Sequence, residues 1–188
     1  MGEEGIDLLL CGQLGAGCTE IADIISKRMN MAFYNTEILL HRLAADLDLS
    51  FSGIAGRATS GEVEIDESIA GLITGYMHDK HMKRVIIEGR TAFMAFLEPA
   101  TVRALLMAPI YVRANHIAHM RGIDFEKAKE EVMASDEDRG NLVKRLWKLD
   151  WLDSSLYDLI INTGAWSYEQ AASMIEGSLM SRGFTKEV

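Results

Sequence analysis

The run Gly12, Gln13, Leu14, Gly15, Ala16, Gly17, Cys18, Thr19 stands between an apolar stretch, Ile6 to Cys11, and a segment with helical spacing. Glycine lets the backbone take positive φ and come close to a ligand, and the first N–H groups of a helix that follows such a loop point into it. The chemistry on offer is anion binding, and the spacing narrows it to phosphate: Gly12 to Thr19 fits G-x-x-x-x-G-K-[ST] except that Cys18 stands where the pattern has lysine. Lysine brings a mobile positive charge to the outer phosphates, whereas glycines and the helix dipole supply backbone donors and roughly half a unit charge. The loop therefore predicts a nucleotide site short of one cation, with the Thr19 hydroxyl placed to ligate magnesium. A glycine turn that joins a strand to a helix and holds nothing is the alternative; the order strand, loop, helix argues against it. At a helix N-terminus Cys18 is expected to have a thiol pKa below the ordinary value of about 8.5, or else to pack inward as a small hydrophobe. Cys11, inside the strand, is expected to be inert.

Further charged groups fall at places where a sheet of this kind presents ligands. RVIIE, Arg84 to Glu88, reads as a strand followed at once by Gly89 and Arg90, and polar residues just beyond a strand's C-terminal end are where open parallel sheets bind. His41 and Arg42 border the apolar stripe of a helix expected from Thr36 to Asp46, facing either a ligand or solvent. Arg113, His116 and Arg121 lie on a helix that starts after Pro109. From Ala134 to Leu152 the chain is dense in charge, with Asp136, Asp138, Arg139, Lys144, Arg145 and Lys148, the pattern of a solvated helix. His78 and His81 have no matching carboxylate or cysteine nearby and are not read as metal ligands.

The elements that must position these groups alternate. Strands are expected at Ile6 to Cys11, Met31 to Tyr34, Arg84 to Glu88, Thr101 to Ala108 and Tyr157 to Asn162, with a helix after the glycine loop running to about Met29. Asp124 opens a helix at DFEKAKEEV, and Ser167 with Gln170 forms a capping box for a last helix, Tyr168 to about Ser181, with Ala171, Ala172, Ile175 and Leu179 inward. This alternation implies a mainly parallel, three-layer α/β sheet with the glycine loop at its C-terminal edge. At 188 residues the chain fits one domain. A net charge of −9 argues against binding a nucleic acid polymer and for a small partner. Two cysteines make no disulfide framework, no stretch approaches the roughly 18 apolar residues of a membrane span, and a cytoplasmic location is expected.

With the phosphate loop, the EGR step and the Asp138-Arg139 segment in order, the chain resembles the cytidylate kinase-like branch of the nucleoside monophosphate kinases. The most specific part runs from MAPIYVRANHIAHMRGIDFEKAKEEVMASDEDR to DWLDSSLYDLIINTGAWSYEQAASMI. The branch often lacks the loop lysine, having GSGGREI where this chain has GAGCTEI. The resemblance implies a five-stranded parallel sheet of the P-loop NTPase type in a single domain, residues 1–188, with a monophosphate-binding helical region at about 35–81 and a lid at about 110–145. It implies ATP and Mg2+ as cofactors and transfer of a phosphoryl group from ATP to a nucleoside monophosphate, CMP or dCMP first. Arg90 matches the arginine of the family's DGR or GR motif. Arg42 lies beside the position of a second monophosphate-binding arginine, which His41 occupies. Asp138 and Arg139 resemble the acidic and basic pair after the lid, Arg139 and Arg145 are the implied catalytic charges, and Arg113 and Arg121 are either lid or surface residues. Two alternatives stand beside this: a nucleotide-binding regulatory protein that has lost transfer, and a small-metabolite kinase on the same scaffold.

Overall fold

The structure, a computed structural model, describes residues 6–39, 41, 71, 75 and 84–185. β1 (Ile6–Gly12), β2 (Ala32–Tyr34), β3 (Val85–Glu88), β4 (Ala100–Met107) and β5 (Leu159–Asn162) form one sheet in the order β2-β3-β1-β4-β5, every pairing parallel. The helices are α1 (Cys18–Met29), α2 (Arg90–Met94), α3 (Ile110–Arg121), α4 (Phe125–Trp147) and α5 (Tyr168–Ser181). This is the three-layer parallel α/β architecture that the alternation of apolar runs predicts.

Strand periodicity sorts the core into two layers. On β1, Leu8 and Leu10 face α1 and α5 and pack with Ile21, Ile25, Ile175 and Leu179, while Leu9 and Cys11 face the opposite layer with Phe93, Leu142, Val143 and Trp151. Both faces of the central strand are thus apolar, as a doubly covered parallel sheet requires. The capping box at Ser167 and Gln170 is present, and Ala171, Ala172, Ile175 and Leu179 are buried as expected.

α4 departs from the sequence reading. The charged segment beyond Ala134 is not a separate solvated helix; it continues the helix capped by Asp124 for 23 residues, and Trp147 Nε1 donates to the Phe93 carbonyl at 2.6 Å where it ends. Its inner stripe runs Ala128, Val132, then Ser135, Asp136 and Arg139, then Leu142 and Val143, positions three or four apart on one face. The apolar residues anchor the helix above and below a polar stretch that passes the glycine loop. The break in hydrophobic pattern marks the site.

The helix expected from Thr36 is described only at residues 36–39 and 41, and Asn35 Oδ1 caps it by accepting from Ile38 N at 3.0 Å. Arg42, His78, His81 and most of the region at 35–81 lie outside the described residues.

Candidate functional site

The chain passes from β1 to α1 through two left-handed residues, Gly15 (φ 82°) and Gly17 (φ 87°). A Cβ on Gly15 would stand 2.8 Å from the Arg113 carbonyl oxygen, and one on Gly17 would stand 2.5 Å from the Tyr168 ring, so packing behind the loop excludes a side chain as firmly as φ does. Ala16 N–H donates to the Gln13 carbonyl at 3.0 Å, closing the turn, and Thr163 Oγ1 donates to the Ala16 carbonyl at 2.9 Å. No side chain caps α1 at Gly17. The first-turn N–H groups, which have no partner within a helix, open on the loop and suit an anion.

Behind the loop sits a clasp. Arg113 is buried and donates to both oxygens of Asp136, at 3.0 and 2.8 Å, to the Ala108 carbonyl through Nε at 2.9 Å, and to the Leu14 carbonyl at 3.4 Å. Gln13 Oε1 accepts from Ala108 N–H at 3.2 Å. Arg113 is therefore buried and not at the surface: its fork ties α3, α4 and the loop together. Arg121, the other lid candidate, pairs with Glu131 at the surface end of α3.

At the end of β3, Glu88 is buried and accepts from Thr19 Oγ1 at 3.1 Å, with Asn35 as a second hydrogen-bond donor. Burial raises its carboxyl above the usual range, and those two hydrogen bonds pull it part of the way back. Arg90, which opens α2, forms an ion pair with Asp138, so two residues 48 apart in sequence meet. Asp138 thus partners Arg90 rather than its neighbour Arg139. Arg139 donates to the carbonyl and hydroxyl of Ser135, one turn earlier. Burial pushes its guanidinium pKa down, opposed by the nearby Cys18 and Asp136.

Two cavities open on this cluster. The larger, about 590 Å³, runs from the glycine loop past His116 to Ile117, Met120 and Arg121; the smaller, about 250 Å³, lies among Asn35, Thr36, Glu37 and Arg90. Thr19, Glu88, Gly89 and Arg139 line both. Arg145, further along α4, lines neither. His116, which the sequence placed on its helix without a role, puts Nε2 3.1 Å from Glu20 Oε1 and Nδ1 3.4 Å from the Tyr168 hydroxyl on the wall of the larger cavity. In the sequence Glu88 is only the last residue of the strand before Gly89 and Arg90; its burial at the strand end, which no spacing announces, gives it a place in the site.

Of the two expectations for Cys18, the inward-packed small hydrophobe is the one the structure has. Its Sγ folds back over Gly12, where a Cβ would meet it at 2.2 Å, and the side chain packs against the layer holding Leu10 and Leu106. Loss of hydration, and then the Glu88 carboxylate, raise the thiol pKa far above its ordinary value, outweighing Arg139 and the backbone hydrogen bond that lower it. The helix terminus does not activate this thiol. Cys11, fully buried, is raised as well and is inert as expected.

Among the described residues no group of three or more His, Cys, Asp and Glu side chains is arranged to hold a metal. Magnesium needs less from a protein, taking one or two side-chain oxygens with water and phosphate oxygens completing its shell. The Thr19 hydroxyl and the Glu88 carboxylate, hard oxygens 3.1 Å apart beside the loop, fit that requirement. Among the described residues no helix is long and apolar enough to cross a membrane.

A central strand that ends in a left-handed glycine loop, in a five-stranded parallel sheet with a cluster of arginines over its C-terminal edge, defines a kinase fold of the P-loop type. Residues 10–165 match the cytidylate kinase-like family, and the chain belongs to it. It is 30% identical over 161 residues to a cytidylate kinase of Methanothermobacter thermautotrophicus, covering 84% of this chain and 95% of that protein. It is 27% identical over 172 residues to a cytidylate kinase of Sulfurisphaera tokodaii, covering 92% and 94%. Among solved structures it resembles an uncharacterized protein from Eubacterium ventriosum, with a TM-score of 0.73 at 19% identity over 94% of this chain and 99% of that one. It also resembles shikimate kinase from Acinetobacter baumannii, with a TM-score of 0.59 at 12% identity over 97% of each chain. These last two likenesses concern the fold.

Proposed function

We propose that this protein transfers the terminal phosphoryl group of ATP to a nucleoside monophosphate, with CMP and dCMP the first acceptors to try. The observation that carries the reading is the shared wall: Thr19, Glu88, Gly89 and Arg139 border both the cavity at the glycine loop and the cavity at Arg90. A donor with its phosphates in the loop and an acceptor phosphate at Arg90 would meet there. Phosphoryl transfer asks the protein mainly for positioning, charge neutralisation and exclusion of water. Backbone N–H groups of the Gly12–Thr19 loop, other than those of Gln13 and Ala16 that donate within the protein, hold the donor phosphates, Arg90 holds the acceptor phosphate once drawn from Asp138, and Arg139 faces the group in transit. Thr19 and Glu88 would hold magnesium, which when bound neutralises phosphate charge. Arg145 and Arg42 are carried from the family resemblance as a further charge and a second acceptor contact. The region at about 110–145 serves as the lid, its moving part being the end of the α3–α4 hairpin beyond the Arg113–Asp136 clasp.

Cys18 favours a second reading, a family member that binds nucleotide without transferring phosphate. One experiment separates these and the small-metabolite alternative: a screen of monophosphates and small hydroxyl compounds that follows ADP formation from MgATP. Turnover with CMP or dCMP supports the proposal. Turnover only with a compound that is not a nucleotide, or ATP binding with none, defeats it.

A further inference from the structure

The glycine loop lacks its lysine, and the structure shows where an equivalent charge stands. Four arginines lie near the donor cavity or the clasp behind it, and three already have carboxylates: Arg90 with Asp138, Arg113 with Asp136, Arg121 with Glu131. Arg139 is different. Its hydrogen bonds go to the neutral carbonyl and hydroxyl of Ser135, and among the described residues no carboxylate lies within ion-pair distance of it. Its Nε is buried without a hydrogen-bond partner. A buried charge is costly to leave unmatched, and this guanidinium stands on the wall of both cavities, where a phosphate would supply the counter-charge. Leu142 and Val143 on the same helix face, both buried, fix the backbone that carries it. It shares the wall of the larger cavity with Gly15, Gly17, Cys18 and Thr19.

Cys18 complements this arrangement. Its Sγ lies against Gly12 while the residue still lines the cavity, so the guanidinium stands on the same cavity wall as position 18. We propose that Arg139, reaching across from α4, supplies the outer-phosphate charge that the loop lacks at position 18, and that position 18 stays small because a lysine there contests the same space. A guanidinium bridges two phosphate oxygens with fixed geometry, where an ammonium is a mobile point charge. The donor site is then completed by α4, whose register beside the loop is held by the Arg113–Asp136 clasp.

The inference rests on the donor-site reading above, and its test is a binding cycle with no acceptor present, so that it fails separately from phosphotransferase activity. MgATP and MgADP affinities are measured by calorimetry for the wild type, Arg139→Met, Cys18→Lys and the double variant, with thermal unfolding of each. Arg139→Met is expected to weaken MgATP about tenfold to a hundredfold, and MgADP by less, a split that general loosening of the helix does not produce. Cys18→Lys alone is expected to weaken MgATP or leave it unchanged, because two cations then compete; in the Arg139→Met background the same lysine is expected to restore at least about tenfold. Equal effects of Cys18→Lys in both backgrounds, or MgATP affinity unchanged in Arg139→Met, overturn the proposal. Should Arg139→Met fail to fold, Cys18→Lys in the otherwise native protein still decides: tighter MgATP binding overturns the proposal, and unchanged or weaker binding supports it.

Discussion

Replacing Arg113 with methionine tests whether the clasp is structural. The native guanidinium is 4% exposed and makes a bidentate pair with Asp136, whose side chain is 25% exposed. Two main-chain carbonyls, Ala108 and Leu14, also accept from it. Removing one partner of a fully buried ion pair costs about 3–5 kcal/mol. Asp136 keeps some access to water, so the expected loss for Arg113→Met is about 2–4 kcal/mol. For a domain of this size that corresponds to a fall in Tm of about 5–15 °C. Denaturant and thermal unfolding without nucleotide measure it directly. Asp136→Asn is expected to cost less alone, and the double variant less than the sum, because the second substitution removes the stranded charge. Arg113→Met with an unchanged Tm and abolished MgATP binding would refute the reasoning, since Arg113 would then be a phosphate ligand.

Arg90→Ala is expected to lower kcat/KM for the acceptor by roughly tenfold to a thousandfold with little change in MgATP affinity, the loss of a charge-assisted contact; equal weakening of both substrates moves Arg90 out of the acceptor site. Gly17→Ala is expected to destabilise by about 1–2 kcal/mol for the left-handed backbone alone, and by more through the Tyr168 contact, so Tyr168→Ala should partly rescue its Tm; no rescue means the ring yields freely. Glu88 is held above the usual carboxylate range in the folded state, so its contribution to stability is present below the unfolded pKa and is lost as pH rises through the folded one. Glu88→Gln is expected to be more stable than wild type at neutral pH and to flatten that slope, with transfer impaired; an unchanged pH profile of unfolding removes Glu88 from this role. Both thiols are raised, so alkylation at neutral pH is expected to be slow at Cys18 and Cys11 alike, and rapid labelling of Cys18 means its thiol is not packed as described.

The scaffold was legible because its signals are local. An apolar run before Gly12, helical spacing after Thr19, Pro109 at a helix start and the Ser167–Gln170 box each act within a few residues, and the strands and helices fell close to where those residues put them. Arg90 is legible for the same reason, two residues past a strand end. Spacing alone does not tell Arg113 from Arg139, which only the family resemblance sets apart: both are arginines on charged helices, and packing assigns one to Asp136 behind the loop and leaves the other lining the cavity. α4 was divided because Ser135, Asp136 and Arg139 interrupt an apolar stripe that resumes at Leu142. At Cys18 the inward-packing alternative wins over the helix-terminus argument, which counts the dipole and omits desolvation, and here Glu88 acts in the same direction as burial.

The central claim is that a phosphate held by the glycine loop passes to an acceptor held at Arg90 across a wall shared by Thr19, Glu88 and Arg139. Single-turnover transfer from ATP labelled at its γ-phosphate, with CMP, dCMP and the other monophosphates in turn, tests it most directly. The account predicts label in the nucleoside diphosphate matched by an equal amount of ADP, reduced at least about tenfold in Arg139→Met and in Arg90→Ala. ATP that binds while its label stays in place, or passes to water at the same rate with and without every acceptor, contradicts it.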